Sequence, residues 1–211
     1  MESGANHSEW LQWVGTKKVY LKWLTIISAS IAIVFMLLFT SFKVKKVSFL
    51  LVLFVISLLY VIPIKRKSLR ELPGLKSFFI AFVWTGFVVV YPLMNEHVLP
   101  LPVFNILAFF CFFFALTIPF DIRDIQFDSP TQKTIPQVLG IKGSKLLAVV
   151  LLGIFYLFTA NFNQEIWKNI LLGLICVLII RWFIFTTPYR SSYFFTTIDA
   201  MMILLGLWFF V

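Results

Sequence analysis

The feature that most constrains this chain is a succession of seven apolar segments, near residues 19–41, 47–64, 76–94, 99–120, 144–161, 166–185 and 194–211. About 20 apolar residues cross the hydrocarbon core of a bilayer as a helix. In lipid the backbone must satisfy its own hydrogen bonds, so segments of this kind fold as helices. The expected architecture is an all-α, polytopic membrane helix bundle with seven spans over 19–211. A polar N-terminal segment, 1–18, precedes it, with Trp10 and Trp13 as interfacial aromatic anchors. The composition agrees: 61% of residues are hydrophobic and only 13% are charged, which excludes a soluble domain. Prolines 63, 73, 92, 100, 102, 130, 136 and 188 fall at or near the proposed boundaries, as helix-stop signals do. Pro119 lies one turn inside the end of the fourth segment, where it frees a backbone carbonyl.

The net charge of +9 has a topological reading. With the N-terminus on side one, fourteen of the 18 Lys and Arg residues lie on that side; the other four, Lys43, Lys45, Lys46 and Lys168, lie opposite. The positive-inside rule then puts the N-terminus and the two longest loops, near 64–76 and 121–144, in the cytoplasm. The basic loops meet anionic lipid headgroups, not nucleic acid. Cys111 and Cys176 lie inside apolar runs and read as small buried hydrophobes. His7 and His97 are isolated.

Three of the nine acidic residues sit together in F-D-I-R-D-I-Q-F-D-S-P-T-Q-K-T-I-P-Q-V-L-G, residues 120–140. Asp121, Asp124 and Asp128 are spaced i, i+3, i+7, which puts their carboxylates on one helix face. Like charges this close need a cation between them. Mg²⁺, a hard ion that binds carboxylate oxygens and substrate phosphates, suits them. A solvated acidic cap on a loop between two spans has the same spacing. Tyr60, Lys65 and Arg66 end the second segment as Y-x-x-x-x-K-R. Lys65 suits phosphate as a point charge and Arg66 as a two-pronged donor; a plain positive-inside loop accounts for them equally. Lys67, Arg70 and Lys76 are read as plain loop charges. Trp84 has a packing reading, and Asp199 complements the start of the last helix.

D-x-x-D-x-x-x-D followed by K-T-x-P and Gly140 resembles the second aspartate-rich motif of the UbiA-type membrane prenyltransferase superfamily. The Tyr60–Arg66 pattern is similar to the same family, and Trp84 matches a place where it carries a large residue. The resemblance implies a prenyltransferase of the bacterial cytoplasmic (inner) membrane. Its substrates would be an isoprenyl diphosphate and an aromatic or other lipophilic acceptor. It implies Mg²⁺ on Asp121, Asp124 and Asp128, with Asp121 and Asp124 catalytic. Tyr60, Lys65, Arg66 and Lys133 would hold the diphosphate. The 26 phenylalanines suit an isoprenoid tail as a class, and lipid-facing surface equally. The match covers the chain after about residue 20 and corresponds to the third to ninth helices of a family member. The family's first motif, N-D-x-x-D-x-x-x-D, and its first two helices have no counterpart. Phe127 stands where many members carry Gly, and Arg123 between the acids can pair with one of them. A shortened, non-catalytic relative that binds isoprenoid or lipid, or a subunit whose missing helices come from a partner chain, is therefore the alternative expectation.

Overall fold

The computed structural model describes residues 15–39, 44–62, 72, 74–94, 103–162, 165–187, 200 and 205. Among them every regular element is helical. Helix α1 is Lys18–Phe39 and α2 is Val44–Val61. Then come α3, Lys76–Leu93, and α4, Val103–Asp124. A short 3₁₀ turn, Pro130–Gln132, leads into α5, Ile135–Phe162, and α6 is Ile166–Phe185. Four of these, α3 to α6, are long and apolar enough to cross a membrane. The segment expected at 194–211 lies outside the described residues except for Ala200 and Leu205.

The chain divides into two compact units, residues 1–47 and 48–211. The first contains α1, an apolar helix whose described side chains are almost all exposed. The second contains the core. At its centre stands α4, which packs most extensively on α5 and next on α3, while α6 covers α5. The α4 sequence explains its position. Apolar residues surround the helix on nearly all sides, so it is stable only with neighbours on several faces. Ala108 and Ala115 are fully buried and let adjacent helices approach closely. Phe109 and Phe112 meet Phe155 of α5 at ring-centroid distances of 5.2 and 4.8 Å. Phe113 stacks on Trp84 of α3, and Phe110 lies edge-on to Phe78.

Two helices depart from regular geometry, each for a local reason. Within α3, residues Gly86–Val90 widen to a π-turn just before Pro92. Proline offers no N–H and its ring crowds the carbonyl four residues back; a wider turn relieves that crowding. Gly86 sits against α2, where a Cβ would lie 2.9 Å from Leu53 Cδ2. In α5 the break is at Gly140, whose φ of 70° and ψ of 169° are open to glycine without strain. The run Ile135–Leu139 is thus a separate short turn at the polar end. The span proper follows Gly140, close to the expected start at 144.

Candidate functional site

The site forms where the start of α3 meets the end of α4. Lys76 at the start of α3 meets Asp121 and Asp124 at the end of α4, so these two helix ends lie together at one end of the bundle. Asp121 and Asp124 belong to the last turns of α4. Asp128 lies beyond the helix, in a turn. The amides of Phe127 and Asp128 both donate to the Asp124 carbonyl, at 2.8 and 2.9 Å, and fold the chain back on itself. The expectation of three acids on one helix face thus reaches the observed convergence by a different route: two on a helix, and one returned by a turn.

Their common partner is Lys76, the first residue of α3. Its Nζ lies 3.2 Å from Asp121 Oδ1, 3.7 Å from Asp124 Oδ2 and 2.9 Å from Asp128 Oδ2. It donates hydrogen bonds to both Asp128 oxygens. Ser77, the next residue, donates through Oγ to Asp121 Oδ2. Arg123 takes the outer side of Asp124, with Nε 2.7 Å from Oδ1 and a second contact from its other nitrogen at 3.2 Å. Its guanidinium also lies over the Phe120 ring. Burial is graded across the cluster. The side chains of Lys76, Asp121 and Asp128 are 9, 3 and 5% exposed, against 24% for Asp124 and 38% for Arg123. The inner ion pairs are dry and the outer one is wet.

The loop after Asp128 is held by its own chemistry. Ser129 caps the Pro130–Gln132 turn, and Lys133 ends it in the left-handed region at φ 45°. The Thr134 amide donates to Gln137 Oε1, half of a capping box for α5. Gln137 Nε2 reaches back to the carbonyls of Asp128 and Ser129. Gly74, at φ 70°, donates its amide to the Gln132 carbonyl at 2.8 Å, tying the approach to α3 to this loop. Gln132 Oε1 and Thr134 Oγ1 are sealed from solvent and take no hydrogen bond among the described residues.

An apolar groove of about 200 Å³ opens between α2 and α3, lined by Ser57, Tyr60, Phe79, Ile80, Val83 and Trp84. It begins three residues along α3 from Lys76, about 4.5 Å along the axis, and reaches Trp84 about 12 Å from it. Tyr60 and Trp84 therefore share one wall system, and Trp84 both packs on Phe113 and lines the groove.

Of the residues singled out in the sequence, the structure gathers Asp121, Asp124 and Asp128. It puts Tyr60 in the groove and leaves Lys133 exposed on the adjoining loop. Lys65, Arg66 and Asp199 lie outside the described residues. Lys76 and Ser77 were missed as site residues. Lys76 reads as one more positive loop charge, yet it is the ion that holds the acids together. The available signal was its position: a lysine opening an apolar helix, in the same set of loops as the acids by the expected topology.

The donor set suits Mg²⁺ in kind, since it consists of hard carboxylate oxygens with two unengaged oxygens on the next loop. Its spacing is set by an ammonium. The carboxylates stand 2.9–3.7 Å from Nζ, whereas Mg²⁺ holds oxygens at about 2.0–2.1 Å. Among the described residues no group of three such side chains is arranged as a ready metal cage. The ion fits these residues only when Lys76 withdraws. Comparison with known protein families, characterised proteins and solved structures returned no match.

Proposed function

We propose that this chain is a UbiA-type, prenyltransferase-like membrane protein that moves a prenyl group from an isoprenyl diphosphate to an aromatic or other lipophilic acceptor. The observation that carries the reading is the gathering of Asp121, Asp124 and Asp128 at one end of the bundle, with an apolar groove starting one helical turn away. That juxtaposition matches an amphiphile: a charged head at the carboxylates and a hydrocarbon tail along Phe79, Ile80 and Val83. On this reading the bundle has seven spans and a cytoplasmic N-terminus in the bacterial inner membrane, so the site faces the compartment that makes isoprenyl diphosphates.

Asp121, Asp124 and Asp128 are the residues that would hold Mg²⁺, which when bound neutralises the diphosphate as its C–O bond breaks. Tyr60, Lys65, Arg66 and Lys133 are assigned to the diphosphate oxygens, as donors that favour its negative charge. The apolar groove walls from α2 and α3, Phe79, Ile80, Val83 and Trp84 among them, keep water from the allylic carbon. Ser77 orients Asp121 through its hydrogen bond.

The test is diphosphate release by the full chain in detergent, given allylic prenyl diphosphates, a lipophilic aromatic acceptor and Mg²⁺. Asp121→Asn and Asp124→Asn should each lower the rate by about 100-fold. No release, or variants that match the parent, would remove the enzymatic reading. A second reading is favoured by Lys76, which already pairs with all three acids. In that reading the protein is a non-catalytic relative that binds isoprenoid or lipid, or a subunit completed by another chain. Saturable binding of a prenyl diphosphate without turnover would support it.

A further inference from the structure

We infer that Lys76 is the carboxylate cluster's built-in counter-ion, and that Lys76 and a divalent cation are alternative occupants of the same position. The inference rests on the reading of Asp121, Asp124 and Asp128 as a cation site, and concerns what this chain does when that site is not loaded.

An ammonium has three N–H donors, and Lys76 faces three carboxylates from one point. Asp121 Oδ2 accepts from Ser77 and Asp124 Oδ1 from Arg123 Nε, while Asp124 Oδ2 is shared between Arg123 and the side facing Nζ. The oxygens turned towards Nζ are therefore the ones an incoming ion must take. Drawing them in to Mg²⁺ distance puts the ion where Nζ stands, and two cations in contact in a dry site repel strongly. Joint occupancy is excluded by both space and charge.

Charge balance points the same way. Three carboxylates with Lys76 and Arg123 carry one net negative charge. With Lys76 withdrawn, two remain, the charge that a divalent ion cancels. Lys76 is suited to leave. It is the first residue of α3, and its long flexible stem can swing without moving the helix. Phosphate oxygens arriving with the ion offer the freed ammonium new acceptors. In the unloaded state its role is protective: without it, Asp121 and Asp128 are buried charges with no cation among the described residues within ion-pair reach.

The experiment uses the full chain in detergent micelles, with Mn²⁺ as the binding probe read by electron paramagnetic resonance and thermal unfolding measured with and without Mg²⁺. Lys76→Met should bind Mn²⁺ at least about tenfold more tightly than the parent. It should melt lower than the parent without metal and recover with Mg²⁺, while the parent's melting changes little. Adding Asp121→Asn and Asp128→Asn to Lys76→Met should abolish the tight binding. Lys76→Gln, which keeps a polar head, is held to the same outcomes where the Met variant does not fold. Equal Mn²⁺ affinity in parent and both Lys76 variants would overturn the exchange, and so would two variants that bind no Mn²⁺. Failure of this inference and failure of the enzymatic reading are separable. Turnover by the parent with unchanged Mn²⁺ affinity in the variants removes only the exchange. Tighter binding by the variants without any turnover in the parent removes only the enzyme.

Discussion

The polar end of α4 and its phenylalanine-rich body are built on opposite principles. In the body, Phe109, Phe112 and Phe113 touch Phe155 and Trp84 through many weak, interchangeable contacts. Lipid tails are as apolar as these side chains, so burial away from water contributes little to holding the helices together in a bilayer; close packing does. At the polar end, one ammonium serves three carboxylates. Contacts there are few, directional and mutually dependent. The body should lose stability in proportion to the volume removed. The end should fail in steps, according to which partner is left buried and alone.

The largest expected effect in the body comes from Phe112→Ala. Phe112 is fully buried against Phe155, and such a deletion costs about 3–5 kcal/mol in a packed core. Chemical unfolding in mixed micelles measures it. A loss near zero would mean that lipid or detergent fills the gap, and the contrast between the regions would sharpen. Next is Gly86→Ala, whose Cβ would press on Leu53 at 2.9 Å. Leu53 has a flexible end, so the expected loss is about 1–3 kcal/mol, with α2 shifted from α3 and the groove altered. An unchanged stability would show that the α2–α3 contact is slack. The smallest is Asp124→Asn. Asp124 is the outermost acid and pairs chiefly with the partly exposed Arg123, so its loss should cost under about 1 kcal/mol and shrink further in high salt. A loss as great as that of Phe112→Ala would break the distinction between dry and wet halves of the cluster.

The legibility of these two regions differs for the same reason. The α4 body was readable because apolar length alone dictates a helix in lipid; the expected 99–120 segment and the observed Val103–Asp124 overlap over most of their length. The expected 166–185 segment coincides with α6. The apolar run places the fifth segment at 144–161, while the helix starts at Ile135 and breaks at Gly140. A proline and glycine near a polar loop signal an interruption without saying that helix precedes it. The π-turn in α3 went unread, because Pro92 marks a boundary equally well in sequence.

The sequence by itself determined that this chain is a set of apolar helices with an acidic triplet at the end of one of them. Lipid leaves the backbone no alternative to helix, and spacing along one chain segment is local information. Only the tertiary structure decided what the acids meet. Lys76 is 52 residues from Asp128, and an ion pair over that distance leaves no periodicity to read. Which of the chain's many cations reaches the acids depends on which helix packs against α4, and on where that helix begins. The groove has the same origin, since its walls, Tyr60 and Trp84, lie on different helices whose separation Gly86 and Leu53 set.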